Sequence, residues 1–280
     1  MKRVPNSATT SALVLEHEAL GADFDEYNGM YIPASYGNVD EEENGFLACG
    51  VSDSTANLVL RISGASATSF ISTMTTAPSL MVGQCATSLV LSGEGDVIDV
   101  MHVARTGAFE YMTISSTDFA EELLDWLNEA ATLERAQVRA FPNLEIEDET
   151  GKLVLLQFEG SEVAHVLSDY MAQDVELPGC GTVSSVMFDK IPTLMMRPSE
   201  SFSANRYFVF VPAQLSAVLW RSLMSFDELA ACGALAVRHA DYKKCDGLKK
   251  HFAGIQAKPS VFGFENFIYR TEGFLGARAL

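Results

Sequence analysis

The 280-residue sequence has little cysteine, little positive charge and no long apolar run. Its five cysteines, Cys49, Cys85, Cys180, Cys232 and Cys245, are odd in number and widely spaced. Without a CxxC pair or metal-ligand spacing, zinc modules and disulfide scaffolds are excluded, and free thiols in a reducing compartment are expected. Lys and Arg total 19 against 37 Asp and Glu, a formal net charge of −18. The densest basic group, Lys243, Lys244, Lys249 and Lys250, is short, so nucleic acid is not an expected partner. No apolar stretch approaches the roughly 18–20 residues that cross a bilayer. The start, Met1-Lys2-Arg3-Val4-Pro5, runs directly into Asn6-Ser7-Ala8-Thr9-Thr10 without the apolar core of a leader. A soluble, cytoplasmic protein with no membrane partner is expected.

What is present is ordinary globular composition, 48% hydrophobic and 20% charged. Leu58, Leu60 and Ile62 alternate as in a half-buried strand, and Gly64-Ala65-Ser66 opens a helix through Phe70, Ile71 and Met74. Strands are predicted at 88–92, 97–104 and 110–115. Asp118 and Glu121 have capping-box spacing before a helix bearing Leu123, Leu124, Trp126 and Leu127. The same order returns: a strand at 153–158, Gly160-Ser161, and a helix with Val163, Val166, Leu167 and Tyr170 on one face. A hairpin about Asp189-Lys190, a strand from Arg206 and a helix through Leu219 complete it. Gly64 and Gly160 stand 96 residues apart, as do Tyr111 and Tyr207, and Trp126 and Trp220 stand 94 apart. Two copies of one strand-helix-strands-helix unit are therefore expected, in an α+β fold with largely antiparallel sheets.

Within this frame the sequence resembles the aminomethyltransferase family, the folate-dependent T-protein of glycine cleavage and its relatives, over about residues 12–280. Glu16-His17-Glu18-Ala19-Leu20-Gly21-Ala22-Asp23-Phe24, followed by Gly29, Pro33 and Tyr36-Gly37, is similar to the family's opening "LHxxLGAxFxxFxGWxxPVxYG". Leu60-Arg61-Ile62-Ser63-Gly64 is similar to "KIRVxG". Gly83-Gln84 through Asp99 runs ungapped against "GQxxYxxLLNxxGGIIDDL". Leu155 to Gly160 resembles "LLALQGP", Val211-Pro212 to Trp220 resembles "YVPxxxAxxLW", and Gly273 to Leu280 resembles "DFIGKEAL". The resemblance implies the family's folate-binding fold. Residues 1–49 with 137–280 would form one folate-binding subdomain and 50–136 the other. It implies tetrahydrofolate as cofactor and transfer of an aminomethyl or methyl group from a small-molecule donor or carrier protein. The sequence stops where the family continues into a C-terminal barrel domain, so a partner subunit replacing that domain is expected, as in a split enzyme. Phe262, Phe264, Phe267 and Phe274 would then crowd an exposed end.

The second Asp of "GGIIDDL" carries the family's chemistry, and the resemblance puts Val100 there with Asp99 beside it. On a strand, adjacent side chains point to opposite faces, so Asp99 stands in only if the strand is bulged. His102, on the face of Val100, is either the replacement polar group or an ordinary half-buried histidine. The family's pterin-recognising carboxylate falls on Ala204, with Glu200 either its substitute or a solvent-facing charge. The arginine that meets the folate tail falls on Val237, and a one-residue gap would restore it as Arg238. Thr87 takes the place of a family aromatic, and Ser115 or Ser116 that of an asparagine. Tyr36 belongs to an aromatic-rich stretch that lines the family's channel or packs as core. Losing the family acid leaves a second expectation, a non-catalytic folate-binding or interaction protein.

Overall fold

The computed structural model describes residues 4–5, 7–115, 118–135, 137–171, 175–199, 203 and 205–280. The chain opens with helix α1 (Val14–Ala19), the hairpin β1 (Asp23–Tyr27) and β2 (Met30–Ser35), and helix α2 (Val39–Cys49). A short strand, β3 (Gly50–Asp53), precedes the first copy of the repeat. That copy consists of β4 (Leu58–Ser63), α3 (Ala67–Met74), β5 (Cys85–Leu91), β6 (Val97–Gly107), β7 (Glu110–Ser115) and α4 (Ala120–Ala131). Another short strand, β8 (Glu145–Asp148), leads to the second copy. This one runs β9 (Leu153–Glu159), α5 (Val163–Tyr170), β10 (Thr182–Phe188), β11 (Ile191–Arg197), β12 (Arg206–Pro212) and α6 (Ala213–Leu223). Helices α7 (Ala234–Lys244) and α8 (Asp246–Phe252) and an aromatic-rich terminal segment follow.

The repeat read from spacing is the architecture. One sheet has the order β8-β4-β7-β6-β5, and the other β3-β9-β12-β11-β10, extended by the two-residue strand Ala230–Ala231. The short strands are exchanged: β3, which precedes copy one, pairs with β9 of copy two, while β8, which precedes copy two, pairs with β4 of copy one. Sheet membership therefore crosses the residues 49/50 and 136/137, with Gly50–Asp53 in the sheet of copy two and Glu145–Asp148 in the sheet of copy one.

The glycine anchors have a steric reason. Gly64 (φ +103°) and Gly160 (φ +136°) turn each first strand into its helix. A Cβ would collide with the carbonyl of Asn143 at the first position and that of Ala48 at the second. Alternation then sorts the strands. Leu60, Ile62, Met101, Val103 and Tyr111 pack under α3 and α4, and Leu156, Phe158, Val209, Val211 and Tyr207 under α5 and α6. The other faces meet each other through Val59, Ala104, Met112 and Ile114 against Leu155, Met196, Phe208 and Phe210. The result is four layers, helix-sheet-sheet-helix. Met195 and Met196 are both fully buried core residues.

Two local expectations are corrected. The phenylalanines at the end are buried rather than exposed: Phe262, Phe264, Phe267 and Phe274 pack with Leu89, Val97, Val100 and Leu248 on the inner face of β5 and β6. Helix α4 has no side-chain cap, because the Asp118 carboxylate pairs with Arg238 instead. The Asp40-Glu41-Glu42-Glu43 run is only partly solvated. Glu42 accepts from the Tyr36 and Gly233 N–H groups (2.7 and 2.8 Å), and the buried Glu43 pairs with Lys243 (2.6 Å).

Candidate functional site

Two small cavities lie where β3, β6, β9 and β12 meet α7 and α8. The first, about 60 Å³, is lined by Tyr27, Asp53, Gln157, Arg238, Asp241 and Phe252, among others. The second, about 20 Å³, is lined by Asp99, Val100, Arg206, Asp241, His251 and Phe252, with Leu248. They share Asp241 and Phe252, so those two side chains divide one cleft. Three polar atoms of the lining residues are buried without a hydrogen-bond partner: Gln157 Nε2, Asp99 Oδ2 and His251 Nε2. Buried polar atoms are ordinarily satisfied, and orphans gathered around a cleft favour a hydrogen-bonding ligand or water there.

Buried charge fills the partition. The Arg206 guanidinium donates to Glu159 Oε2 (2.7 Å from Nε) and to Asp241 (3.2 Å from Nη1), and Lys244 pairs with Glu159 as well. Arg206 is 2% exposed and Glu159 1%. Desolvation pushes the Lys244 ammonium below its ordinary range. On the first cavity's far wall, Tyr36 Oη is hydrogen-bonded to His17 Nδ1 (2.8 Å) and His17 Nε2 to Asp53 Oδ2 (2.9 Å). Burial would raise the Asp53 carboxyl, but its bonds to His17, Ser11 and Thr55 and the His17 charge hold it below the ordinary carboxylate range. Tyr36 itself is raised well above the ordinary phenol value by burial and by Asp53.

Strand β6 does carry a bulge. Its pairing with β5 steps from Val90↔Asp99 to Leu91↔Val97, leaving Ile98 over. The irregularity falls before Asp99, so Asp99 stays on the face of Met101 and Ser115 and does not take the place of Val100. Burial pushes the Asp99 carboxyl up to about 8, partly offset by bonds from Ser115 and the Val100 N–H. At neutral pH it is a carboxylic acid, able to donate a proton or a hydrogen bond.

Of the residues singled out in the sequence, the structure brings Asp99, Val100, Val237 and Arg238 to the cleft. Arg238 pairs with Asp118 and lies over the rings of Tyr27 (4.7 Å) and Phe252 (5.3 Å). Tyr36 stands two hydrogen bonds behind, through His17 to Asp53. Ser115 touches Asp99. Thr87 and His102 are bonded to each other (Oγ1 to Nδ1, 2.9 Å) between the sheets, with the imidazole 4.8 Å from the Phe208 ring, and line neither cavity. Burial and the Arg206 charge push His102 down to about 3, a neutral packed imidazole. Glu200, Ala204 and Ser116 lie outside the described residues. Cys85 is a packed thiol that donates to the Thr182 carbonyl (3.1 Å), pushed up to about 12 by burial.

Sequence reading missed Arg206, Asp241, Gln157 and His251, since nothing local marks a strand-end arginine as buried. For Asp53 a signal existed. Asp53-Ser54-Thr55 and Asp148-Glu149-Thr150 form the same turn, in which each Asp accepts from the Thr N–H two residues on (3.0 and 2.8 Å). Asp40, Glu43 and His239 place ligand atoms within 4.8 Å of one another, but Lys243 already supplies the cation at Glu43. Among the described residues no helix is long and apolar enough to cross a membrane.

Taken as a whole, this duplicated scaffold has the fold of a glycine-cleavage T-protein. It shares its fold with the aminomethyltransferase T of the glycine cleavage system from Bartonella henselae, with a TM-score of 0.74 at 20% identity over 98% of this chain and 74% of that one. The family model of the GCVT N-terminal domain matches residues 13–245, and the chain belongs to that family. It is 25% identical over 274 residues to an aminomethyltransferase of Symbiobacterium thermophilum, covering 94% of this chain and 72% of the relative. To that of Chlorobaculum tepidum it is 24% identical over 223 residues, covering 76% of this chain and 58% of the relative.

Proposed function

We propose that the chain binds tetrahydrofolate in this cleft and serves one-carbon transfer, aminomethyl or methyl, between the folate and a small-molecule donor or carrier protein. The supporting observation is membership of the GCVT family combined with the orphaned polar atoms around the cleft. The donor set fits a reduced pterin and its tail. Gln157 offers an amide N–H, Asp99 a neutral carboxyl, and Arg238 a guanidinium for a tail carboxylate in competition with Asp118. When bound, the folate supplies the nitrogen that carries the one-carbon unit. The cavities are far below the roughly 300 Å³ of ordinary ligand sites, so binding requires Phe252, which divides them, to move aside. A partner subunit supplying further walls of the cleft belongs to the same reading.

The packing of Val100 among Leu89, Leu248 and Phe262 favours a second reading, a folate-binding protein without transferase activity. Calorimetry with tetrahydrofolate, then single-turnover assays with amine donors, separates the two. Saturable binding with turnover supports the transferase, and binding without turnover supports the second reading. Absence of binding by the chain, alone and with its partner subunit, overturns both. Arg238→Ala is expected to weaken folate binding by about tenfold, from the loss of one charge-assisted hydrogen bond.

A further inference from the structure

A cavity larger than either part of the cleft lies beside it. It is a groove of about 480 Å³ between α4, the turn joining β5 to β6, and the segment after α8. Trp126 and Phe119 of one wall face a lining that also includes Ile98 and Ile255, and the rim carries Glu94 and Glu122. Among the described residues, neither rim carboxylate has a basic partner and no Lys or Arg lines the groove. The third acid, Asp96, is paired with Lys258 at 3.7 Å. His251 also lines the groove; it is 5% exposed, and its Nε2 has no hydrogen-bond partner. Room for a small molecule, aromatic faces, uncompensated negative charge and an orphaned imidazole nitrogen thus occur together.

We infer that this groove is a binding site for a small organic cation, an alkylammonium or quaternary amine with an apolar body and a hydrogen-bonding end. Aromatic faces attract such a cation through their quadrupoles, and the carboxylates add attraction that an anionic folate could not use. The His251 nitrogen answers the hydrogen-bonding end, and desolvation keeps that imidazole neutral. Because His251 also lines the second cavity of the cleft, the groove and the cleft adjoin but are separately testable.

The test uses the full chain and two probes of equal shape, choline and its uncharged carbon isostere 3,3-dimethylbutan-1-ol. Trp126 is half-buried at the groove while Trp220 is buried elsewhere, so emission reports the groove. Choline is expected to shift the emission saturably and to bind about tenfold more tightly than the isostere. Glu122→Gln, on an exposed helix face, should weaken choline several-fold and leave the isostere unchanged, and Trp126→Leu should abolish choline binding measured by calorimetry. Equal binding of the two probes, or no saturable choline binding, overturns the inference. Tetrahydrofolate titrated on the same samples keeps the readings apart: folate binding without choline binding defeats only the groove, and the converse defeats only the cleft.

Discussion

Glu159 faces Arg206 across β9 and β12 of copy two as Ser63 faces Glu110 across β4 and β7 of copy one. In copy one the position is at the surface. Glu110 lies 3.8 Å from Arg61, both about 40% exposed, and Arg61 pairs with Glu147 and Glu149 at the same surface. In copy two the same corner is covered by α7, which brings Asp241 and Lys244 onto the pair and encloses four charges. The backbone is one design used twice, so what distinguishes the copies is what packs on them. The elements outside the repeat, α7 and α8, convert one of two equivalent corners into a cleft.

The energetic consequence is large and one-sided. Removing one member of a buried charge network leaves the others desolvated and unpaired, at about 3–5 kcal/mol, whereas an exposed pair contributes about 0–1 kcal/mol. Arg206→Met should therefore lower the free energy of urea unfolding by about 3–5 kcal/mol, and Arg61→Met by less than about 1 kcal/mol. Similar losses from the two variants would show that covering the corner has not made the copies energetically different.

The repeated turn sharpens the contrast. In both copies the Thr hydroxyl accepts from a first-strand N–H, Leu155 to Thr55 (3.2 Å) and Val59 to Thr150 (3.0 Å). Asp53 is buried and also holds His17, while Asp148 is exposed. Asp53→Ala strands the His17 nitrogen and removes charge-assisted bonds, for an expected loss of about 3 kcal/mol. Asp148→Ala should cost no more than about 1 kcal/mol. Thermal and urea unfolding of the two variants measure the difference. Equal costs would place the value of the turn in its backbone geometry alone.

These two corners also show what the sequence makes legible. Gly64 and Gly160 were readable because a positive φ and a colliding Cβ are local demands, and Tyr111 and Tyr207 because alternation decides which face is buried. The exchange of β3 and β8 was not readable, since nothing in a four-residue strand names a partner so far along the chain. The same holds for the site. Arg238 and Asp99 could be reached by aligning motifs, yet Arg206 reads as a surface residue until α7 covers it. The terminal phenylalanines read as exposed for the opposite reason: their partners Leu89 and Val100 lie on strands far back in the chain.

Taken per pH unit, a smaller effect than that of Asp53 concerns the inner faces of the sheets. His102 opposes Ile114 in copy one where Leu194 opposes Phe210 in copy two, so His102→Leu makes the copies alike at that point. The His102 imidazole is held down to about 3 in the folded protein, against about 6.5 in an unfolded chain. Between those values the unfolded chain binds a proton that the folded one does not, so the histidine makes stability fall as pH drops below about 6.5. His102→Leu should remove that slope, worth at most about 1.4 kcal/mol per pH unit. Asp99 acts in the opposite sense. Its folded carboxyl, raised to about 8, keeps a proton that the unfolded chain releases near 4, so its contribution declines as pH rises through that window. The two slopes offset between about pH 4 and 6.5, and the wild-type profile should be flat there. Urea midpoints from pH 4 to 8 should therefore show Asp99→Asn falling more steeply on acidification than wild type, and His102→Leu rising. A double variant with a flat profile confirms that these two buried groups set it, and an unchanged single variant would show that its residue is not buried as a neutral group.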